Sequence, residues 1–359
     1  MKRLAAIFLC LLLAVPTLAA AQEEQVLNIL SWEGYIDADT LDAFEQETGV
    51  KVIWSPMDSI DNMLLKVTES GGADYDLILS SDYSLDILRK QGLIQKLDMS
   101  KLSNYGNLNP TFLNQKYDPD NEYVIPYVAG CPLIIYDPSR VPFEITGYED
   151  LWNEALLDSV ATLDTPRVMC GMVLKTLGGS MNETDPDALA RMKEKLMPLY
   201  KNIRTFGDNE AYTAVTYAAM QSGEASVGFM FTPFVYMVQL EHPDFKVVYP
   251  KEGLGYGIDG FVIPQGAKNV ENAHLMLNYL MRPEVAAHNA EMQYYMCVNQ
   301  AAEPYLSEQF KAYAGVNFID YLVRTRFEKA KELMKDEKLS MNDVAMLVGY
   351  EDYSHFSKL

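Results

Sequence analysis

The chain has 359 residues, 49% of them hydrophobic and 22% charged, enough apolar material for a large core and too much for a disordered chain. A formal charge of −21 repels nucleic acid and anionic headgroups at long range and draws cations. Only the run Leu4 to Leu18 is long enough to consider as a span, and it is too short for one, so a polytopic membrane protein is excluded.

The chain opens on Lys2 and Arg3, then the apolar run with Pro16 near its end, then the small residues Ala19 to Ala21. That tripartite order reads as a secretory signal over residues 1–21, so the protein is expected to be cleaved near Ala21 and to work in the periplasm or elsewhere outside the cytoplasm. Cys10 sits too early in the apolar run, behind the bulky Phe8 and Leu9, to be a lipidation site. Cys131, Cys170 and Cys297 remain; three cysteines cannot all pair, so at least one free, buried thiol is expected.

Val26 to Leu30 reads as a buried strand. Asp37 to Thr48 reads as a helix, capped by Asp37 or Asp39, with Leu41, Phe44 and Thr48 on one face and Gly49 as its stop. A strand from Val50 to Trp54, a helix from Ile60 to Ser70 closed by Gly71-Gly72, a strand from Tyr75 to Leu79 and a helix from Tyr83 to Gln91 closed by Gly92 follow. Such alternation predicts a parallel α/β layer. A second run holds helices Asp187 to Tyr200 and Glu210 to Ser222 and strands Ala225 to Phe231 and Phe245 to Tyr249. A strand from Ile258 to Ile263 and helices Glu271 to Met281 and Pro283 to Met292 come next. The stretches around Cys131-Pro132 and from Gly253 to Gly260 read as crossovers between two α/β lobes.

Catalytic signatures are missing. There is no G-x-S-x-G elbow, no Walker A loop and no H-E-x-x-H, and the four histidines are scattered. Gly255-Tyr-Gly257-Ile-Asp-Gly260 matches G-x-G-x-x-G, but it leads into a strand where a dinucleotide loop would leave one and open a helix. Asp118-Pro-Asp120-Asn-Glu122 lacks the glycine and distal glutamate of a calcium loop and reads as a solvated turn. No enzyme, metal or cofactor is expected.

Strand ends carry a different signal, because ligands of open α/β sheets bind beyond the carboxyl ends of the strands. Ser31-Trp32-Glu33-Gly34-Tyr35 follows the first strand and Ser80-Ser81-Asp82-Tyr83 the third. Trp32 alone is either a core plug or a ligand wall. With Tyr35, Tyr83, Glu33, Asp82 and the later Asp259 the set becomes aromatic faces plus carboxylates, which suits an alkylammonium: carboxylates accept charged hydrogen bonds and rings supply cation–π contact worth about 0.5–2 kcal/mol each.

Over Val26 to about Asn299 the chain resembles the spermidine/putrescine-binding periplasmic proteins of ABC importers. The resemblance rests on Tyr75-Asp-Leu-Ile-Leu-Ser-Ser-Asp-Tyr83, Gly92-Leu-Ile-Gln-Lys-Leu-Asp98, Asp118-Pro-Asp-Asn-Glu-Tyr-Val-Ile-Pro-Tyr127, Ile263-Pro-Gln-Gly-Ala-Lys-Asn269 and Arg282-Pro-Glu-Val-Ala286. It implies a periplasmic-binding-protein-like α/β fold of two lobes with a hinge and a central ligand cleft: lobe one over 26–132 and 258–300, lobe two over 133–257. It also implies a polyamine ligand and a membrane permease as partners. The pocket positions that match are Trp32, Tyr35, Ser81, Tyr83, Asp259 and Tyr295, with Asp82, Asp164 and Phe231 beside them and Asp259 as the amine-holding carboxylate. Four positions depart from the family: Thr165 and Val168 stand where acids are usual, and Phe231 and Gly257 where Trp is common. The clamp of the second lobe is therefore depleted, and putrescine-sized ligands should lose less by it than spermidine-sized ones.

The end of the chain reads differently. Residues 304–359 carry eight Lys or Arg against nine Asp or Glu, so the acidity resides in the central body. Gly315-Val-Asn-Phe318-Ile-Asp-Tyr321-Leu-Val-Arg324-Thr-Arg326 and Val344-Ala-Met-Leu-Val-Gly349-Tyr-Glu-Asp-Tyr353-Ser-His-Phe356 resemble the helix-turn-helix region of AraC-type transcription factors. The likeness implies an all-α segment over 305–359 with a long helix Phe318 to Lys335, a helix Met341 to Val348 and a recognition helix from Tyr353. Its first unit lacks the leading helix and its second stops at Leu359, and its charge gives no electrostatic footprint for DNA. The expectation is an exported polyamine receptor that does not engage DNA; the alternative is a ligand-sensing transcription regulator.

Overall fold

A computed structural model describes residues 25–207, 215–310, 330–331, 333–335 and 339–348. β1 (Val26–Ser31) buries Leu27, Ile29 and Leu30 because it runs between two parallel neighbours, β2 (Lys51–Pro56) and β3 (Leu77–Ser81). α1 (Ala38–Thr48) joins β1 to β2. Asp37 caps it by accepting the Asp39 N–H, Thr40 and Phe44 turn inward, and Gly49 ends it at φ 72°. α2 (Ile60–Ser70), capped by Ser59, leads to β3, and α3 (Asp82–Lys90) follows β3 with no loop between.

β4 (Ile125–Gly130) is separated from β5 (Pro132–Tyr136) by Cys131 alone, yet the two belong to different sheets. The second sheet continues with β6 (Val160–Leu163), α4 (Pro166–Thr176), α5 (Pro186–Leu199), β7 (Ile203–Gly207), α6 (Val215–Gln221), β8 (Val227–Phe231), α7 (Thr232–Glu241) and β9 (Lys246–Val248). Residues 249–256 carry the chain back to β10 (Gly257–Val262), α8 (Val270–Leu280), α9 (Pro283–Gln293) and β11 (Met296–Cys297). The sheet orders are β11-β4-β10-β3-β1-β2 and β7-β6-β8-β5-β9. Pro132 already pairs with Phe231 in the second sheet and Gly257 with Gly130 in the first, one residue inside each border expected from the sequence.

The parallel layer expected from the first three strands forms as β2-β1-β3, but the sheet as a whole is mixed, because β10 lies between β3 and β4 antiparallel to both. β3 and β4 run toward the crossover and β10 leaves it, so pairing among them must be antiparallel. The third strand also sits two residues later than its hydrophobic pattern suggests. Tyr75 and Asp76 precede it because Asp76, only 2% exposed, is a clasp. Its carboxylate accepts from the backbone N–H of Asn28, Lys268 and Asn269 and from the side-chain amides of Asn28 and Asn269, at 2.8–3.0 Å. Burial pushes the Asp76 pKa up, but these donors outweigh it and hold the group below the ordinary aspartate range.

Asp118 is a second departure. It is 4% exposed rather than a solvated turn, and its carboxylate accepts from the N–H groups of Glu122, Tyr123 and Val124. His274, also buried, accepts the Asp98 N–H at Nε2 and donates from Nδ1 to the Val270 carbonyl. Cys131, Cys170 and Cys297 are free thiols, and Cys131 is buried. Among the described residues no helix is long and apolar enough to cross a membrane, and no cluster of His, Cys, Asp or Glu could hold a metal ion.

The signal reading falls on residues 1–21, outside the described residues. In the tail, Leu306 and Phe310 bury against Ala287 and Ala290 of α9, so the stretch expected to open the helix-turn-helix segment packs on the first lobe. Further on, the helix Met341–Leu347 starts at a reciprocal cap: Ser340 Oγ accepts the Asp343 N–H, and Asp343 accepts the Ser340 N–H. Val344, Ala345 and Val348 pack on Ala330. The recognition helix expected from Tyr353 and residues 318–329 of the expected long helix lie outside the described residues.

Candidate ligand-binding cleft

A cleft of about 750 Å³ opens between the two sheets. All nine residues singled out from the sequence line it: Trp32, Tyr35, Ser81, Asp82, Tyr83, Asp164, Phe231, Asp259 and Tyr295. The strand-end rule explains the convergence. Ser81 is the last residue of β3, Asp82 and Tyr83 open α3, Phe231 is the last residue of β8, and Asp164 follows β6.

Asp259 forms the floor. It sits in β10 opposite Ser81 of β3, at a register irregularity against β4. Burial pushes its carboxyl up to about 6; hydrogen bonds from Ser81 and Tyr35 oppose that rise and the Asp82 carboxylate adds to it. Asp82 is raised too, first by burial, despite accepting the Tyr83 N–H at 2.6 Å. Two neighbouring acids, each short of solvent, make a place where a cation relieves both desolvation and repulsion.

The aromatic side is held as firmly. The hydroxyl oxygens of Tyr35 and Tyr295 are 3.0 Å apart and their ring centres 5.6 Å. Tyr35 donates its hydroxyl to Tyr295 and also lies within hydrogen-bonding reach of the Asp259 carboxylate. Burial, then the neighbouring Tyr295 and Asp259, push the Tyr35 phenol well above its ordinary pKa, so it stays a donor. The Tyr35 carbonyl is fixed from behind by the Tyr127 hydroxyl at 2.8 Å and by the Gln293 amide. Gly130 leaves the room that Tyr295 needs: a Cβ there would stand 2.7 Å from the ring. Trp32 turns out to be both plug and wall, packed on the cluster of Leu30, Met57, Met63 and Ile78 while facing the cleft.

Several lining residues carry no signal in the sequence, among them Asp61, Met181, Asn182, Tyr256 and Tyr294. Tyr294 ends α9 with a left-handed backbone, φ 57°, and its ring lies 5.0 Å from that of Tyr236 in the other lobe. No local pattern announces such a residue, since its place depends on two lobes meeting. At Gly257 a Cβ would meet nothing within 4 Å, so the wall is open there.

The family model described as bacterial extracellular solute-binding protein matches residues 39–317. The chain belongs to this family of solute-binding proteins. The receptor is 36% identical over 293 residues to the spermidine/putrescine-binding periplasmic protein of Salmonella typhimurium, covering 81% of this chain and 82% of that protein. It is 30% identical to a putrescine-binding periplasmic protein of Pseudomonas aeruginosa, covering 88% of this chain and 90% of the relative. Among solved structures, the spermidine/putrescine ABC transporter substrate-binding protein of Streptococcus pneumoniae superposes with a TM-score of 0.70 at 32% identity, over 80% of this chain and 88% of that one. The two-lobed periplasmic-binding-protein-like fold is thereby shown. A helix-turn-helix domain model matches residues 300–359 of the receptor.

Proposed function

We propose that the receptor is exported, binds a linear polyamine outside the cytoplasm and hands it to the membrane permease of an ABC importer, without catalysing a reaction. The observation that carries this reading is the pairing of Asp259 and Asp82 at the cleft floor, both raised by burial, beneath the rings of Trp32, Tyr35, Tyr83 and Tyr295. Carboxylates short of water seek a cation, and aromatic faces cover its methylenes. The relatives named for spermidine and putrescine support the same ligand class. In this reading residues 1–21 are the export signal, and the lobes are the units built on the two sheets. Titration calorimetry on the mature protein tests it: putrescine or spermidine is expected to bind at micromolar concentration, and absence of heat and of any melting shift at millimolar ligand overturns the assignment.

The helix-turn-helix match favours a second reading, a ligand-sensing transcription regulator. Export decides between the two, because a working signal takes both parts out of the cell. N-terminal sequencing of the fractionated protein is expected to find a chain starting near Gln22; an intact Met1 on a cytoplasmic form favours the regulator.

A further inference from the structure

The cleft is electrostatically lopsided. Of its lining carboxylates, Glu33, Asp61, Asp82 and Asp259 come from the first lobe. The second lobe brings Asp164 and, among the described lining residues, the sole Lys or Arg, Arg167. Arg167 stands at the start of α4 and reaches across the opening. Its guanidinium carbon lies 4.7 Å from the centre of the Tyr83 ring, and one N–H donates to Asn182 Oδ1 at 2.7 Å. Tyr83 belongs to α3 of the first lobe, so this stack joins the lobes over the cleft.

We infer that Arg167 is a built-in competitor for the ligand's far cationic end and sets the length of amine that the cleft accepts. The inference rests on the polyamine reading above. A ring face covered by a guanidinium is closed to a ligand ammonium, and a second positive charge brought beside Arg167 is repelled. The neighbouring residue is Val168 rather than an acid, and the carboxylate that feels the guanidinium is Asp82 of the first lobe. By this inference a short diamine anchored at Asp259 stops short of the Tyr83 face that Arg167 covers. A triamine must lift Arg167 off Tyr83 and displace its charge. Arg167 is thus the specificity-determining residue, selecting short diamines by occupying the site that a longer ligand would use.

Calorimetric titration of the mature receptor with putrescine and with spermidine tests this, comparing the unmodified protein, Arg167→Gln and the double variant Arg167→Gln with Tyr83→Leu. Arg167 is solvent-exposed, so its replacement leaves the core intact, which circular dichroism checks. Arg167→Gln is expected to tighten spermidine by roughly 3- to 30-fold, the range of one cation–π contact, with a smaller change for putrescine. The double variant should lose that gain, since the freed ring is gone. Unchanged or weaker spermidine binding in Arg167→Gln overturns the inference, and so does an equal gain for both amines, which would reflect net charge alone. If no variant binds either amine, the polyamine reading itself fails.

Discussion

Asp259 and Ser81 face each other across the antiparallel pairing of β10 with β3, one strand from each of the two separate passes the chain makes through the first lobe. Ser81 is the terminal residue of its strand and donates to the Asp259 carboxylate. Removing the charge while keeping the shape isolates its role. Asp259→Asn is expected to weaken putrescine binding by about 2–5 kcal/mol, the cost of leaving a desolvated charge without its partner. Affinity within twofold of the unmodified protein, measured by calorimetry, would place the clamp elsewhere, at Asp82, Asp164 or Glu33.

The same carboxyl makes binding pH-dependent. Its pKa near 6 lies above the unfolded value, so the group is charged, and ready for an ammonium, only above that pH. Affinity for putrescine should be nearly flat from pH 8 to about 7, then fall by up to about tenfold per unit below 6. Stability runs the other way. A raised acid destabilises the empty receptor above its folded pKa, and protonation relieves this as pH falls. Asp259→Asn should therefore melt higher than the unmodified apo-protein at pH 8, with the gap closing toward pH 4. A pH-independent gap would show that desolvation of the charge is not its source.

Asp76 has the opposite sign. Its pKa is held below the unfolded value, so its stabilisation is present above about pH 4 and is lost as pH falls through the lower folded value. Asp76→Ala orphans N–H groups of Asn28, Lys268 and Asn269 and should cost about 2–4 kcal/mol at pH 7 in urea melts. The penalty should shrink at pH 2. A loss under 1 kcal/mol at pH 7 would mean that water replaces the clasp.

Walls of the cleft can be removed or added. Trp32→Ala should weaken ligand by about 0.5–2 kcal/mol beyond lost burial. Gly257→Trp should strengthen it by a similar amount, since the position is sterically open. No gain in the second variant, with the fold intact, would show that a ring at 257 does not reach the ligand.

The tail is expected to leave DNA alone. The body's acidity repels phosphate, and repulsion is strongest at low salt, where basic proteins bind best. A mobility shift with a defined operator, poorly competed by random DNA, would refute this and revive the regulator reading.

Much of the site was legible because strand-end chemistry is local. Ser31-Trp32-Glu33-Gly34-Tyr35 and Ser80-Ser81-Asp82-Tyr83 each carry strand, turn and polar residues in one short stretch. The caps Asp37 and Gly49 were readable for the same reason: their physics involves only their own helix. Tyr295, and the role of Asp259 as the amine-holding carboxylate, came from resemblance to a family, since nothing near them in the chain marks a carboxylate or a ring as facing Ser81 or Tyr35. Other features were settled only by tertiary structure. β10 had to enter antiparallel because it returns from the other lobe, and Asp76 became a clasp because Asn28 and Asn269 converge on it from distant segments. Arg167 found Tyr83 because two lobes close on one another. Sequence patterns encode propensity and burial along one element; which charge meets which ring across a cleft depends on how elements far apart in the chain are packed.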